Sequence, residues 1–219
     1  MEYRGDFPGL YRMVKDKMNQ SGSCHGFDHV CRVMRNAEQL LTFHPQADKE
    51  VVMLAALLHD IARPEEEASR GKVCHAVLGA EMVPGFLRKN GFPEELVAPV
   101  SMAVKTHRFR GKNEPQSLEA DLIFDADKLD SLGAAGIGRA FLFAGRENAR
   151  LHNTAEEALS SEAYSKEDTA YREYLVKLRY LPRKMRSEAG RKMAVKRAAF
   201  MADFFEQLDS ETNLGETSL

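Results

Sequence analysis

Eight apolar residues run without a break from Val51 to Leu58 (VVMLAALL), and the next two are His59 and Asp60. A run of this length reads either as a buried strand or as a helix that is apolar all round. Its Leu, Ala and Met content, with Asp48 in the capping position, favours the helix. Two ionisable residues appended to a buried segment need partners, because burying them unpaired costs several kcal/mol. A divalent metal ion is one such partner. A helix that ends at solvent, with a capping His beside an Asp, is the other reading, and the dipeptide alone does not choose between them.

The rest of the chain is patterned as helix. After Asp28 the residues Val30, Val33, Met34, Ala37, Leu40 and Leu41 draw one apolar stripe on a helix ending near His44-Pro45. Further helices are predicted over 10–19, 75–89, 94–106 and 118–129, and the pattern stays helical from Arg139, most clearly over 168–180 and 185–208. Pro84 and Pro99 fall inside two of these patterns and are expected to kink or split them. No alternating run with a hairpin turn appears, so the expected fold class is all-α. Without an internal repeat or a low-complexity linker, a single domain over 1–209 is expected, followed by a flexible tail over 210–219.

Bulk properties narrow the function. The 31 basic and 33 acidic residues leave a net charge of −2, which gives no sign of a nucleic-acid partner. The stretch 183–197 carries seven basic residues against Glu188 alone, and reads as a solvated helix face. No apolar run approaches the roughly 20 residues of a membrane span, and the N-terminus lacks a signal-peptide pattern, so a cytoplasmic protein with no membrane partner is expected. The three cysteines form no CxxC pair, which suits reduced thiols. Cys24-His25 with His29 is half a zinc site without its second pair of thiols. The glycines of Gly133-Ala134-Ala135-Gly136-Ile137-Gly138 are misplaced for a dinucleotide loop and follow no strand, so small residues for close helix packing are the better reading.

Other metal-ligating residue types accompany the His59-Asp60 pair. His29 opens the preceding helix in His25-Gly26-Phe27-Asp28-His29-Val30, and Asp127 lies in Asp125-Ala126-Asp127-Lys128-Leu129-Asp130. Helices around one axis can aim a His, a His-Asp pair and an Asp at one centre, as helical bundles do when they build metal sites.

Four ordered motifs, HGFDHVCRV at 25–33, LLHDIA at 57–62, THRFRG at 106–111 and DADKLDSLGAAGIGRAF at 125–141, resemble the HD domain superfamily of metal-dependent phosphohydrolases. The resemblance implies an HD-domain helical bundle with its motifs within 20–145 and a C-terminal helical extension over 146–209. It implies His29, His59, Asp60 and Asp127 as metal ligands, with Asp125 and Asp130 behind them. Such a donor set suits Mn, Fe, Mg, Co or Ni ions better than a closed thiolate zinc site. The implied ion grips a phosphate oxygen and activates water for attack at phosphorus. His25, Arg63, Arg108, Arg110 and Lys128 are the implied contacts to substrate, because guanidinium groups match a phosphate bidentately. His75 and His107 join Asp60 as catalytic candidates. They are read as ligands of a second metal, as phosphate contacts, as a general acid for the leaving group, or as purely structural residues.

One departure stands out. Some relatives of this type have an acidic residue two or three positions after the HD pair, where this chain has Ala62 and Arg63. Glu65, Glu66 and Glu67 follow on what reads as a loop and are candidates to substitute, which leaves the general base unassigned. His44 and His152 read as loop or surface residues. The expected function is hydrolysis of a nucleotide or other small phosphorylated metabolite, with pyrophosphate release from a nucleoside triphosphate first, since the resembling branch includes nucleotide pyrophosphohydrolases. A phosphodiesterase or phosphomonoesterase, a di-iron oxygenase on the same scaffold and a non-catalytic nucleotide-binding regulator are the alternatives.

Overall fold

A computed structural model of the chain describes residues 2–19, 26–108 and 114–212. His25 and Arg110 lie outside the described residues. Among those described there are helices and turns and no strand, as the patterning predicts. None of the helices is long and apolar enough to cross a membrane.

The chain divides into two compact units, Met1–Asp127 and Lys128–Leu219. In the first, α1 (Phe7–Met18), α2 (Phe27–Leu41), α3 (Lys49–Leu58), α4 (Arg63–Ala68), α5 (His75–Lys89) and α6 (Val97–Thr106) follow in order, with a short 3-10 turn at Glu94–Leu96. The helix α7 (Leu118–Asp130) carries the chain across the boundary between the units. The apolar run lies at the centre: α3 packs against α1, α2 and α6, and α5 lies along α6. Every residue from Glu50 to Ala62 is buried, the longest unbroken buried stretch among the described residues. Asp48 starts α3 by accepting from the backbone N–H groups of Glu50 (2.9 Å) and Val51 (3.1 Å), a cap worth about 1 kcal/mol.

Two proline expectations resolve differently. Pro99 lies in the first turn of α6, where its missing N–H would be unpaired in any helix, and the 94–106 pattern breaks just before it into a 3-10 turn and an α-helix. Pro84 does not split α5, which runs through it from His75 to Lys89. The acidic run 65–67, expected on a loop, is helical. Pro64 at the helix start and the acidic first turn of α4 suit the positive end of the helix dipole.

The second unit holds α8 (Gly133–Arg146), α9 (Ala155–Ser160), α10 (Ala170–Val176), a 3-10 segment (Leu178–Lys184) and α11 (Glu188–Thr212). Here α11 packs on α8 and on the 3-10 segment, and α10 on α8 and α9. The small residues of α8 serve this contact: a Cβ at Gly136 would fall 2.3 Å from the Ser131 carbonyl oxygen and 3.1 Å from Met201 Cε. His152, expected in a loop or at the surface, lies in a loop with its side chain only 4% exposed. Its Nε2 stands 3.0 Å from Asp209 Oδ1, and its ring packs on Tyr171, so it fastens the end of α11 to the segment before α9.

Candidate metal centre

Five helices bring a histidine or aspartate to one place in the first unit, each of them buried except the half-buried Asp127. In α2, His29 shares the face of Val33, Asn36 and Leu40, so the stripe that buries the helix also buries the imidazole. Asn36 donates to the Ala126 carbonyl in α7 (2.9 Å), fixing that helix where Asp127 can reach the same space. His59 caps the C-terminus of α3, and Asp60 follows it. His75 opens α5, and His107 caps the C-terminus of α6. Gly79, one turn after His75, lets α5 lie close to α6: a Cβ there would already be 3.3 Å from Val104 Cγ1.

The ligand atoms form two groups that share one carboxylate. His29 Nε2 is 3.1 Å from His59 Nε2 and 3.5 Å from Asp127 Oδ1. His75 Nε2 is 3.2 Å from His107 Nε2. Between the pairs stands Asp60. Its Oδ2 lies 3.5 Å from His29 Nε2 and 3.7 Å from His59 Nε2, and its Oδ1 lies 3.3 Å from His75 Nε2 and 3.5 Å from His107 Nε2. His29, His59 and Asp127, and likewise Asp60, His75 and His107, place their ligand atoms within 4.8 Å of one another, so each group is able to hold a metal ion.

The model HD domain family matches residues 26–132. YpgQ of Bacillus subtilis (strain 168) is 30% identical over 200 residues, 90% of this chain and 89% of YpgQ. The chain belongs to the HD domain family. The crystal structure of a "predicted HD superfamily hydrolase" from an uncultured Thermotogales bacterium is 29% identical, with a TM-score of 0.66 over 94% of this chain and 92% of that one. Bacillus subtilis YpgQ in complex with ADP is 26% identical, with a TM-score of 0.71 over 93% of each chain.

The protonation pattern of this HD domain fits a cation. His59 Nδ1 donates to the Ala56 carbonyl (2.8 Å), His107 Nδ1 to the Val104 carbonyl (2.6 Å) and His75 Nδ1 to Glu66 Oε2 (2.7 Å). A ring that is neutral therefore carries its proton on Nδ1 and presents the lone pair of Nε2 on the side of Asp60. Asp60 Oδ1 is buried and makes no hydrogen bond with the described residues. Lone pairs and a carboxylate converging without a proton between them repel one another until a cation joins them. Ligands held at about 2.1 Å by an octahedral ion lie about 3 Å apart, close to the spacing within each histidine pair.

Electrostatics keep the donors ready. Burial is the main cause that pushes the His59 imidazole down to about 4, so the ring is neutral at pH 7. Burial also lowers His75, against the opposing pull of Glu66. Burial by itself would raise the Asp60 carboxyl, yet the Arg63 guanidinium beside it holds the group well below the usual carboxylate range.

Around these ligands lies a basic and acidic shell. Arg63 donates from Nε to Asp60 Oδ2 (3.0 Å) and from Nη1 to Glu66 Oε2 (2.6 Å). Arg108 Nη1 lies 3.0 Å from Glu66 Oε1 and 3.1 Å from Cys74 Sγ, with its side chain still 30% exposed. Burial would raise Glu66, but the His75 N–H and the two guanidiniums bring it down to about 2. Of the remaining expected residues, Asp125 and Lys128 are buried on α7, and Asp130 accepts from Arg139 Nη1 (2.9 Å) within the second unit. Glu66 is the residue that sequence reasoning did not single out. The signal was the Arg63–Glu66 spacing of three, which pairs side chains on one helix face.

Proposed function

We propose that this chain is a metal-dependent phosphohydrolase that acts on a nucleotide, with pyrophosphate release from a nucleoside triphosphate as its first candidate reaction. The observation that carries the reading is Asp60: one buried carboxylate, with a pair of imidazole nitrogens facing each of its oxygens. The ADP complex of YpgQ supports a nucleotide as the ligand class.

In this reading His29, His59, Asp60 and Asp127 hold one divalent cation, and Asp60, His75 and His107 hold a second. Mn, Fe, Mg, Co and Ni suit such nitrogen and oxygen donors. When bound, the metal acidifies water and neutralises charge that develops at phosphorus. The chain's own groups do the rest. Arg63 orients Asp60 through its Nε–H. Arg108, held by Glu66 yet partly exposed, grips a phosphate. Arg110, Lys128 and His25 keep the substrate contacts that the family resemblance implies. Glu66 Oε2 is already committed to two donors and its Oε1 is ion-paired with Arg108, so the carboxylate is a poor general base, and the attacking water is deprotonated without it.

The test is a panel of phosphorylated substrates assayed with each divalent metal, with released phosphate and pyrophosphate measured separately and oxygen uptake monitored. Hydrolysis that vanishes on chelation and returns with a subset of the metals supports the reading. Nucleotide binding without turnover under every metal supports the regulator instead. The two ligand groups also suit a di-iron oxygenase, and metal-dependent oxygen uptake without phosphate release favours it.

A further inference from the structure

Among Glu65, Glu66 and Glu67, only Glu66 is buried. Its carboxylate meets groups from three segments of the fold, two as hydrogen bonds to Oε2 and one as an ion pair at Oε1, which itself makes no hydrogen bond with the described residues. Oε2 accepts from His75 Nδ1 at the start of α5 (2.7 Å) and from Arg63 Nη1 at the start of α4 (2.6 Å). Oε1 faces Arg108 Nη1, just beyond the end of α6, at 3.0 Å. The bond to His75 has a consequence at the opposite ring nitrogen. With its proton kept on Nδ1, the ring offers Nε2 as a bare lone pair. Without that acceptor, the ring is free to carry its proton on Nε2 instead, where Asp60 Oδ1 at 3.3 Å is ready to accept it. A proton would then occupy the space between two ligands that a cation requires.

We infer that Glu66 is a positioning residue: it holds His75 in the tautomer able to bind a metal and, through Arg63 and Arg108, ties the cation-holding side of the site to its phosphate-gripping side. The inference rests on the metal-centre reading of the site and deepens it. Glu66 touches neither the ion nor the substrate and acts only through the three groups it holds. Outer partners of this kind are worth about 10–100-fold in metal affinity or activity.

The experiment uses the full chain stripped of metal and labelled with 15N-histidine. Long-range proton–nitrogen NMR reads the His75 tautomer, and calorimetry with Mn²⁺ alone reads the affinity. In the wild-type chain His75 is expected with its proton on Nδ1. Glu66→Met keeps the bulk and removes the acceptor, so His75 is expected to shift toward the Nε2 proton, and Mn²⁺ affinity to fall by about 10–100-fold. Glu66→Gln keeps one acceptor oxygen and is expected to restore the wild-type tautomer and most of the affinity. Glu65→Ala, next door and outside the site, is expected to change neither. Should Glu66→Met fail a thermal-unfolding check, Glu66→Asp withdraws the carboxylate by one methylene and reads the same two quantities. An unchanged His75 tautomer with unchanged Mn²⁺ affinity in a folded Glu66→Met or Glu66→Asp chain overturns the inference. Absence of Mn²⁺ binding by the wild-type chain would instead sink the metal-centre reading, while the tautomer comparison would still decide the role of Glu66.

Discussion

His75 Nε2 and His107 Nε2 stand 3.2 Å apart, and in the neutral rings neither has a proton to offer the other, because each Nδ1–H is already given away, to Glu66 and to the Val104 carbonyl. With Asp60 Oδ1 as the third member, this group is expected to hold a cation of its own. Metal content measured on the Mn²⁺-loaded chain should approach two ions, and His107→Ala should bring it to one. An unchanged metal content in a folded His107→Ala chain would show that the pair serves something other than a second ion.

Asp60 faces both ligand groups, so its loss should reach both. Asp60→Asn keeps the shape and removes the charge. Activity is expected to fall by more than the roughly 10–100-fold seen for outer partners, with metal affinity reduced at both positions. Calorimetry and a phosphate-release assay check the two together. Full hydrolysis by the Asp60→Asn chain in the presence of a chelator would defeat the mechanism.

Arg108 is partly exposed and held from one side by Glu66, which suits a group that binds phosphate alike in the ground and transition states. Arg108→Ala is expected to raise KM by about 10–100-fold, the worth of one or two hydrogen bonds to a charged group, with kcat changed much less. A fall in kcat with KM unchanged would assign Arg108 to the transition state alone.

In the second unit two glycines of one helix should respond in opposite directions. At Gly136 an added Cβ meets the Ser131 carbonyl at 2.3 Å, whereas at Gly138 nothing lies within 4 Å. Gly136→Ala is expected to destabilise by about 1–3 kcal/mol through overpacking. Gly138→Ala is expected to stabilise by about 0.4–1 kcal/mol, because Ala loses less chain entropy than Gly in a helix. Urea unfolding of the two variants measures both, and a Gly136→Ala chain as stable as wild type would contradict the packing.

The sequence by itself determined the helices of the first unit, apart from α4, and the residue types of the site. The period of Val30 to Leu41 and the unbroken run Val51 to Leu58 mark α2 and α3 because apolar faces must be buried, and the same logic placed His59 and Asp60 at a buried end. Boundaries were less legible. The pattern over 168–180 contains both α10 and a 3-10 segment, because periodicity alone does not separate one kind of turn from the other.

Tertiary structure decided what those residues do to one another. Sequence left His75 and His107 open between ligand, phosphate contact and acid, since they lie 32 residues apart and only the packing of α5 on α6 brings their Nε2 atoms to 3.2 Å. It could not choose among Glu65, Glu66 and Glu67, because three like residues in a row carry no pattern, and the rotation of α4 against α5 selects one of them. Nor could it show which nitrogen of each histidine bears the proton. That depends on whether a carbonyl of the preceding turn or a carboxylate from another helix stands beside Nδ1, and such a neighbour exists only once the chain has folded.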